Sequence, residues 1–355
     1  MLAYLLCYFV PTGHWIAGFV MLSVPVVMLI HFIFVVFGLV FRRRLARLSA
    51  VALLLSFPFW SRTSPVLRPL LRSFDKTKSA SKSPQSPILT VMSYNVMSFD
   101  VLRHLDNIAP KNALDLIEWA KNADADVKCF QEFYTHKTRP NFVLLEEFKK
   151  AGYPYYTLLH PKIAPDEEGF LGVAIVSKYP IVARGEQEFE NQNGMVWADL
   201  KIKKDTIRVI NVHFRSMVVR FAGLKEAYKD RDYQDGKKEM KWVTSRLKYG
   251  FEHHAEEIKS INACVDSSPH PVILCGDFNE TPYSYTYGQV RQRLNNAFED
   301  AGTGFGFSYR NAPKYIRIDN QFYDPKAFEI QSFKTRNDIL YSDHFPIFGR
   351  YKIKF

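Results

Sequence analysis

Val272-Ile273-Leu274-Cys275-Gly276-Asp277-Phe278-Asn279 is the stretch on which the reading of this 355-residue chain turns. Residues 272–276 are wholly apolar and too few for a helix, so they read as a short buried strand. A carboxylate and an amide follow, two residues apart. In extended chain that spacing puts Asp277 and Asn279 on one face, converging on one point. An apolar strand that delivers polar groups at its end suits the rim of a sheet, where sites are assembled from distant positions.

Five other segments have the same character: Ser93-Tyr94-Asn95-Val96, Phe130-Gln131-Glu132, Asn211-Val212-His213, Arg317-Ile318-Asp319 and Ser342-Asp343-His344. Around them, strands are predicted over 88–94, 127–130, 173–177, 195–202, 206–213, 322–323, 328–333 and 347–353. Between them, 112–122 reads as an amphipathic helix with Leu114, Ile117 and Ala120 or Lys121 at helical spacing, and 142–151 as a second helix. Residues 224–265 read as a long, charged, mostly helical stretch. Strands in both halves with helices between them predict an α/β, four-layer sandwich of two packed mixed β-sheets flanked by helices.

The N-terminal part has a different composition. Residues 1–41 hold no Asp, Glu, Lys or Arg. The uncharged run 13–41 is long enough to cross a hydrocarbon core of about 30 Å. The four arginines Arg42, Arg43, Arg44 and Arg47 follow, then a second apolar run over 48–60 of marginal length. The expectation is therefore a sandwich preceded by N-terminal transmembrane helices. It divides into a membrane anchor at 1–61, a basic, Ser- and Pro-rich linker at 62–86, and a catalytic domain at 87–355. Residues 42–82 hold ten Lys/Arg against one Asp, and 83–355 hold 37 against 35 Asp/Glu. The net charge of +11 thus belongs mostly to the membrane flank and gives no strong phosphate-backbone footprint on the folded part, where a local basic groove stays open. If the second run crosses, the domain lies outside the cytoplasm, and if it is re-entrant, inside; the outward arrangement is expected. The partners expected are a lipid bilayer at the N-terminal segments and a phosphate-ester substrate, with nucleic acid and phospholipid both open, and no obligate protein partner. Cys129 and Cys275 end apolar runs and read as small core residues, and the four cysteines show no paired spacing.

The polar set comprises Asn95, Glu132, His213, Asp277, Asn279, Asp319, Asp343 and His344. Carboxylate oxygens without cysteine suit a hard cation, Mg²⁺ or Mn²⁺. Two histidines beside carboxylates suit acid and base work near neutral pH. Together they fit hydrolysis of a phosphate ester, whose uncatalysed rate asks roughly 20 kcal/mol of barrier reduction. Arg215, two residues after His213, is a further candidate for reaching a phosphate.

These six segments, in this order, resemble the endonuclease/exonuclease/phosphatase superfamily of metal-dependent phosphoesterases, in its membrane-anchored bacterial form. Gly172-Val173-Ala174-Ile175-Val176-Ser177-Lys178-Tyr179-Pro180-Ile181 is also similar to the family's segment before its central strands. The resemblance implies Glu132 as direct metal ligand, with Asn95 and Asp343 completing or supporting the metal site. It implies that Asp277 acts on the attacking water or the leaving group and that Asn279 orients the phosphate. Asp319 would orient His344, and His213 would contact a phosphoryl oxygen. At the position two residues after Asn95, where many nuclease members carry Asp, this chain has Met97.

Each motif alone has a plainer explanation: a turn at 276–279, a solvated Glu132 at a helix start, a surface ion pair at Arg317 and Asp319. It is their joint occurrence, in order and at strand ends, that favours chemistry. The competing function is a catalytically silent, membrane-bound binding or scaffold module of the same fold. His253-His254, beside Glu252, Glu256 and Glu257, reads as a solvated helix face.

Overall fold

The computed structural model describes residues 1–41, 43–65, 87–159, 168–217, 233–311 and 315–354. Most of the expected linker and the first part of the 224–265 stretch lie outside them. The strands are β1 (Ile88–Asn95), β2 (Val127–His136), β3 (Tyr155–Leu158), β4 (Gly169–Ser177), β5 (Ile181–Glu190), β6 (Asn193–Ile202), β7 (Asp205–His213), β8 (Val272–Asp277), β9 (Asn295–Asn296), β10 (Asp319–Tyr323), β11 (Phe328–Thr335) and β12 (Ile347–Ile353). They form two six-stranded sheets, ordered β11-β12-β1-β2-β4-β3 and β5-β6-β7-β8-β10-β9. The central pairs β1/β2 and β7/β8 are parallel and their neighbours antiparallel, so both sheets are mixed.

Alternation along the strands sorts side chains between two kinds of interior. Val91, Cys129 and Ile175 of the first sheet meet Val196, Val209 and Ile273 of the second. The opposite faces carry Met92, Tyr94 and Phe130 against the helices Pro110–Asn122 and Leu144–Lys150. On the other side Ile210, Val212 and Leu274 pack beneath Tyr233–Asp266 and Tyr285–Arg291. Helix, sheet, sheet, helix is the expected four-layer order. Cys129 and Cys275 are free and buried, as read.

Several local expectations need correction. In Pro110–Asn122 the buried residues are Ala113, Leu116, Ile117 and Ala120, while Leu114 is 39% exposed, so the apolar stripe is rotated from the one read. The strand expected over 127–130 continues to His136, and Glu132 lies inside it at an irregularity where β2–β4 pairing shifts register between Phe130 and Phe133. The edge strands β3 and β5 were not anticipated. β5 has no fully buried residue, so period-2 burial leaves no apolar signal there.

At the N-terminus, one described helical run, Trp15–Phe41, is long and apolar enough to cross a membrane. The second apolar run belongs to two shorter helices, Arg43–Leu55 and Phe57–Thr63. Gly38 lies so close to Ala46 that a Cβ there would stand 2.6 Å from the Ala46 nitrogen, which places Val24–Phe41 and Arg43–Leu55 side by side as a hairpin. The chain then returns to the sandwich. Ser61 Oγ donates to Glu299 Oε2 (3.1 Å) and Arg62 Nη1 to the Pro282 carbonyl (3.2 Å). Residues 62–64, expected as the start of the linker, are thus packed on the domain.

The two sheets are also joined by hydrogen bonds. Asn211 on β7 is fully buried and donates to the carbonyls of Phe130 and Ala174 across the interface, each at 2.9 Å. It accepts from Gln131 Nε2 at 2.5 Å, and Gln131 in turn reaches Ser93 Oγ. A buried group that loses its partner costs about 1–3 kcal/mol. Asn211→Ala is therefore expected to destabilise the protein by about 2–4 kcal/mol, read as a lowered urea midpoint with an unchanged m-value. A midpoint shifted by less than about 0.5 kcal/mol equivalent would rule out the clamp.

Candidate active site

β8 sets the geometry. At Gly276 φ is 143° and a Cβ would stand 1.9 Å from the Val212 carbonyl oxygen, so only glycine allows β7 and β8 to close together there. Parallel register then places His213 beside Asp277, and antiparallel β10 places Asp319 on its other side. Three of the candidate groups become neighbours through strand pairing alone.

Asp277 is 1% exposed. Its Oδ1 accepts from the Asn279 backbone N–H (2.9 Å) and its Oδ2 from Asn95 Nδ2 (3.1 Å), across the two sheets. The same Oδ2 faces Nε2 of His344 at 3.6 Å and Nε2 of His213 at 3.7 Å. His344 Nδ1 lies 2.9 Å from Asp319 Oδ2. An ionised carboxylate only accepts, so Nδ1 carries the hydrogen and Nε2 points to Asp277. Asn95 Nδ2 also donates to Glu132 Oε1 at 3.2 Å. The Tyr309 ring packs edge-on to His344, with centroids 5.0 Å apart. Glu132 (φ 51°) and Asn279 (φ 48°) both hold left-handed backbone, a conformation that concentrates at functional sites. The Asn279 side chain is fixed by donating to the Phe214 carbonyl at 2.9 Å.

A cavity of about 360 Å³ opens here, lined by Asn95, Glu132, His213, Asp277, Asn279, Asp343 and His344. Asp319 stands behind His344. Arg215 is absent from the lining: its guanidinium is paired with Glu190 and with Glu257 (Nε to Oε1 3.3 Å), and it donates to Tyr249 Oη at 2.6 Å.

The electrostatics separate the two histidines. Burial lowers the His213 imidazole, and Asp277 offsets this only in part. Burial would also lower His344, but Asp319 and Asp277 outweigh it and carry its pKa to about 10. One imidazole is therefore neutral and the other charged at neutral pH. Burial raises the carboxyl of Asp277 against the pull of His344, and raises that of Glu132 against the hydrogen bond from Asn95.

Asp277, Asp319 and His344 each offer a ligand atom within 4.8 Å of the others. In that cluster, however, the His344 imidazolium already meets the carboxylate charge. Among the described residues Glu132 meets no such cation; its opposing influences there are the Asn95 amide and the more distant His344, and Asp343 adds like charge. Hard oxygen donors at Glu132, Asn95 and Asp343, with charge left unmet, fit a divalent cation better than the Asp–His cluster does.

One sequence reading is overturned. His254, expected on a solvated face, is fully buried, with Nδ1 3.0 Å from Glu280 Oε1 and Nε2 2.7 Å from the Arg215 carbonyl. It ties the helix Tyr233–Asp266 to the loops that follow β7 and β8. The signal was present in the periodicity: His254, Glu257, Ile258 and Ile261 are the buried stripe, whereas Glu252 and Glu256 are exposed.

Because Asp319 is the chief source of the raised His344 pKa, Asp319→Asn is expected to move it from about 10 toward or below neutrality. Titrating the imidazole proton resonances of metal-free protein reads this directly. A midpoint that stays put would show that Asp319 does not control the ring.

The sequence profile of the endonuclease/exonuclease/phosphatase family matches residues 92–344, and that of a domain of unknown function matches residues 1–63. No curated protein sequence matches the chain. Among solved structures, a Beutenbergia cavernae endonuclease/exonuclease/phosphatase superimposes with TM-score 0.52 at 15% identity, over 75% of this chain and 72% of its own. A Bacteroides thetaiotaomicron family member gives 0.50 at 18%, over 76% of this chain and 100% of its own. The human Nocturnin catalytic domain gives 0.51 at 15%, over 77% and 100%. These likenesses concern the fold, and the profile spans every residue of the cavity's polar cluster from Asn95 to His344. The chain belongs to the endonuclease/exonuclease/phosphatase family.

Proposed function

We propose that this protein is a membrane-anchored hydrolase of phosphate esters that works with bound Mg²⁺ or Mn²⁺. The observation that carries the reading is Asp277, buried between a neutral and a charged imidazole in a cavity that also holds the Asn95–Glu132 pair. The cation, held by Glu132 with Asn95 and Asp343, supplies Lewis-acid polarisation of the phosphoryl oxygens. The remaining tasks fall to the chain. Asp277, raised by burial, accepts a proton from the attacking water. His344, oriented by Asp319, presents a charged Nε2–H to the oxygens where negative charge develops. His213 offers a hydrogen bond to another phosphoryl oxygen, and Asn279, pinned at the cavity wall, orients the ester.

Glu132→Gln and His344→Gln are each expected to lower kcat/KM on bis(p-nitrophenyl) phosphate by ~10²–10⁴-fold, with the melting temperature little changed for Glu132→Gln and lowered for His344→Gln, which strips the buried Asp277 and Asp319 of their shared cation. EDTA should abolish turnover and Mg²⁺ restore it. Hydrolysis indifferent to EDTA would sink the metal-dependent reading.

The anchor supports one orientation. Val24–Phe41 has 18 residues, about 27 Å of helix, and Arg43–Leu55 runs back beside it. In sequence, 42–47 holds four arginines in six residues, a denser cluster than the six Lys/Arg spread over 61–82, and the denser cluster is assigned to the cytoplasmic side. Both hairpin ends meet the sandwich, so the catalytic domain lies outside the cytoplasm. Protease added to intact spheroplasts is expected to degrade it, and protection there with cleavage only in inside-out vesicles would reverse the topology.

A further inference from the structure

The catalytic cavity has a second wall that the phosphoryl chemistry does not use. Besides the polar cluster it is lined by Leu22, Met217, Leu247, Phe251 and Ile318. Leu22 belongs to the anchor: it is the last residue of the helix Trp15–Leu22, directly before the hairpin. The anchor is seated firmly at this place. Phe19 packs edge-on against Phe251 with centroids 5.5 Å apart, and a Cβ on Gly18 would stand 2.7 Å from the Phe251 ring. From Leu22 the apolar surface continues outward along the same run through Val26, Leu29 and Ile33, all exposed in the protein alone.

A second contact ties the N-terminal helices to the segment that runs into the cavity lining. Ser64 Oγ, at the end of the anchor, donates to the Gly304 carbonyl at 2.7 Å. The next residue, Phe305, is exposed and stacks on Phe307, two residues before the Tyr309 that covers His344. Exposed aromatic rings beside a hairpin base suit the headgroup layer of a bilayer.

We propose that the substrate is a lipid phosphate ester taken directly from the bilayer. Its phosphoryl group lies beside His213 and Asp277, and its apolar chain leaves along Leu22 and Phe251 onto the exposed hairpin surface. This rests on the hydrolase reading above and specifies its substrate class. A cavity of about 360 Å³ is near the lower limit of ligand sites, enough for a phosphoryl headgroup and the first part of a chain. The rest of a long chain then needs an apolar exit, which this wall supplies. A nucleic acid needs the opposite: a cationic track for its other phosphates. Arg215, the cation nearest His213 in sequence, is held by Glu190 and Glu257, and residues 83–355 carry a net charge of only +2.

The test uses the full chain in non-ionic mixed micelles with Mg²⁺. Dioleoyl phosphatidic acid and dioleoyl phosphatidylglycerol are compared with their dibutyryl counterparts and with single-stranded DNA. At least one long-chain ester is expected to exceed its short-chain counterpart by about tenfold in kcat/KM. Leu22→Asn should reduce that ratio about tenfold and Leu22→Met preserve it. Met217→Gln, on the same apolar wall but outside the N-terminal helices, should reduce it as well and serves where Leu22→Asn does not fold. Equal rates on long and short chains, faster cleavage of DNA, or a ratio unmoved by either polar variant would overturn the proposal. In each of these cases, turnover of bis(p-nitrophenyl) phosphate leaves the hydrolase reading standing. Absence of turnover on that ester as well removes both.

Discussion

Removing the Asp277 carboxylate from water raises the cost of its charge, and nearly everything around it answers that cost. The Asn95 amide reaches it from the other sheet, the Asn279 backbone closes a turn on it, and two imidazoles face the same oxygen. Asp319 then holds the far side of His344, so the charge on that ring is stabilised from both nitrogens. Loss of any one partner leaves the others with unbalanced charge in a site that solvent barely enters. The cluster is therefore a structural unit as much as a chemical one.

The sandwich brings these groups together with little use of loops. Each sheet carries one parallel pair at its centre, β1/β2 and β7/β8, and the polar residues emerge where those pairs end. Parallel pairing fixes His213 beside Asp277, and the Asn211 clamp fixes one sheet's height against the other. The outer helix Tyr233–Asp266 is tied in through the buried His254, whose bonds to Glu280 and to the Arg215 carbonyl brace the loops leaving β7 and β8. The N-terminal helices add to this frame, because Leu22 joins the cavity wall and Ser61 to Ser64 bond to the sandwich.

What could be read from the chain alone followed from two short-range regularities. Uniformly apolar runs announced the buried strands β1, β4 and β8, and a polar residue at a strand's end announced a place on the rim. That logic identified Asn95, His213, Asp277, Asp319 and His344 as candidates, and the absence of charge over residues 1–41 announced the long apolar helical run Trp15–Phe41. It failed where the deciding contact was distant. Leu114 was assigned to the buried stripe because spacing gives a helix's period, whereas the angle at which it meets a sheet is set by the sheet. His254 was read by its charged neighbours in sequence, although on a helix adjacent residues face about 100° apart.

The amino-acid sequence by itself determined the main strands, their polar ends, the apolar N-terminal run and the residue types available for chemistry, because these depend on composition and on periodicities of two and 3.6 residues. Only the tertiary structure decided that Asn95 would touch both Glu132 and Asp277, that Arg215 would pair with Glu190 and Glu257, and that Leu22 would line the cavity beside them. Each of those contacts joins residues tens to hundreds of positions apart. They arise from sheet register and the packing of one face on another, and no local propensity encodes them.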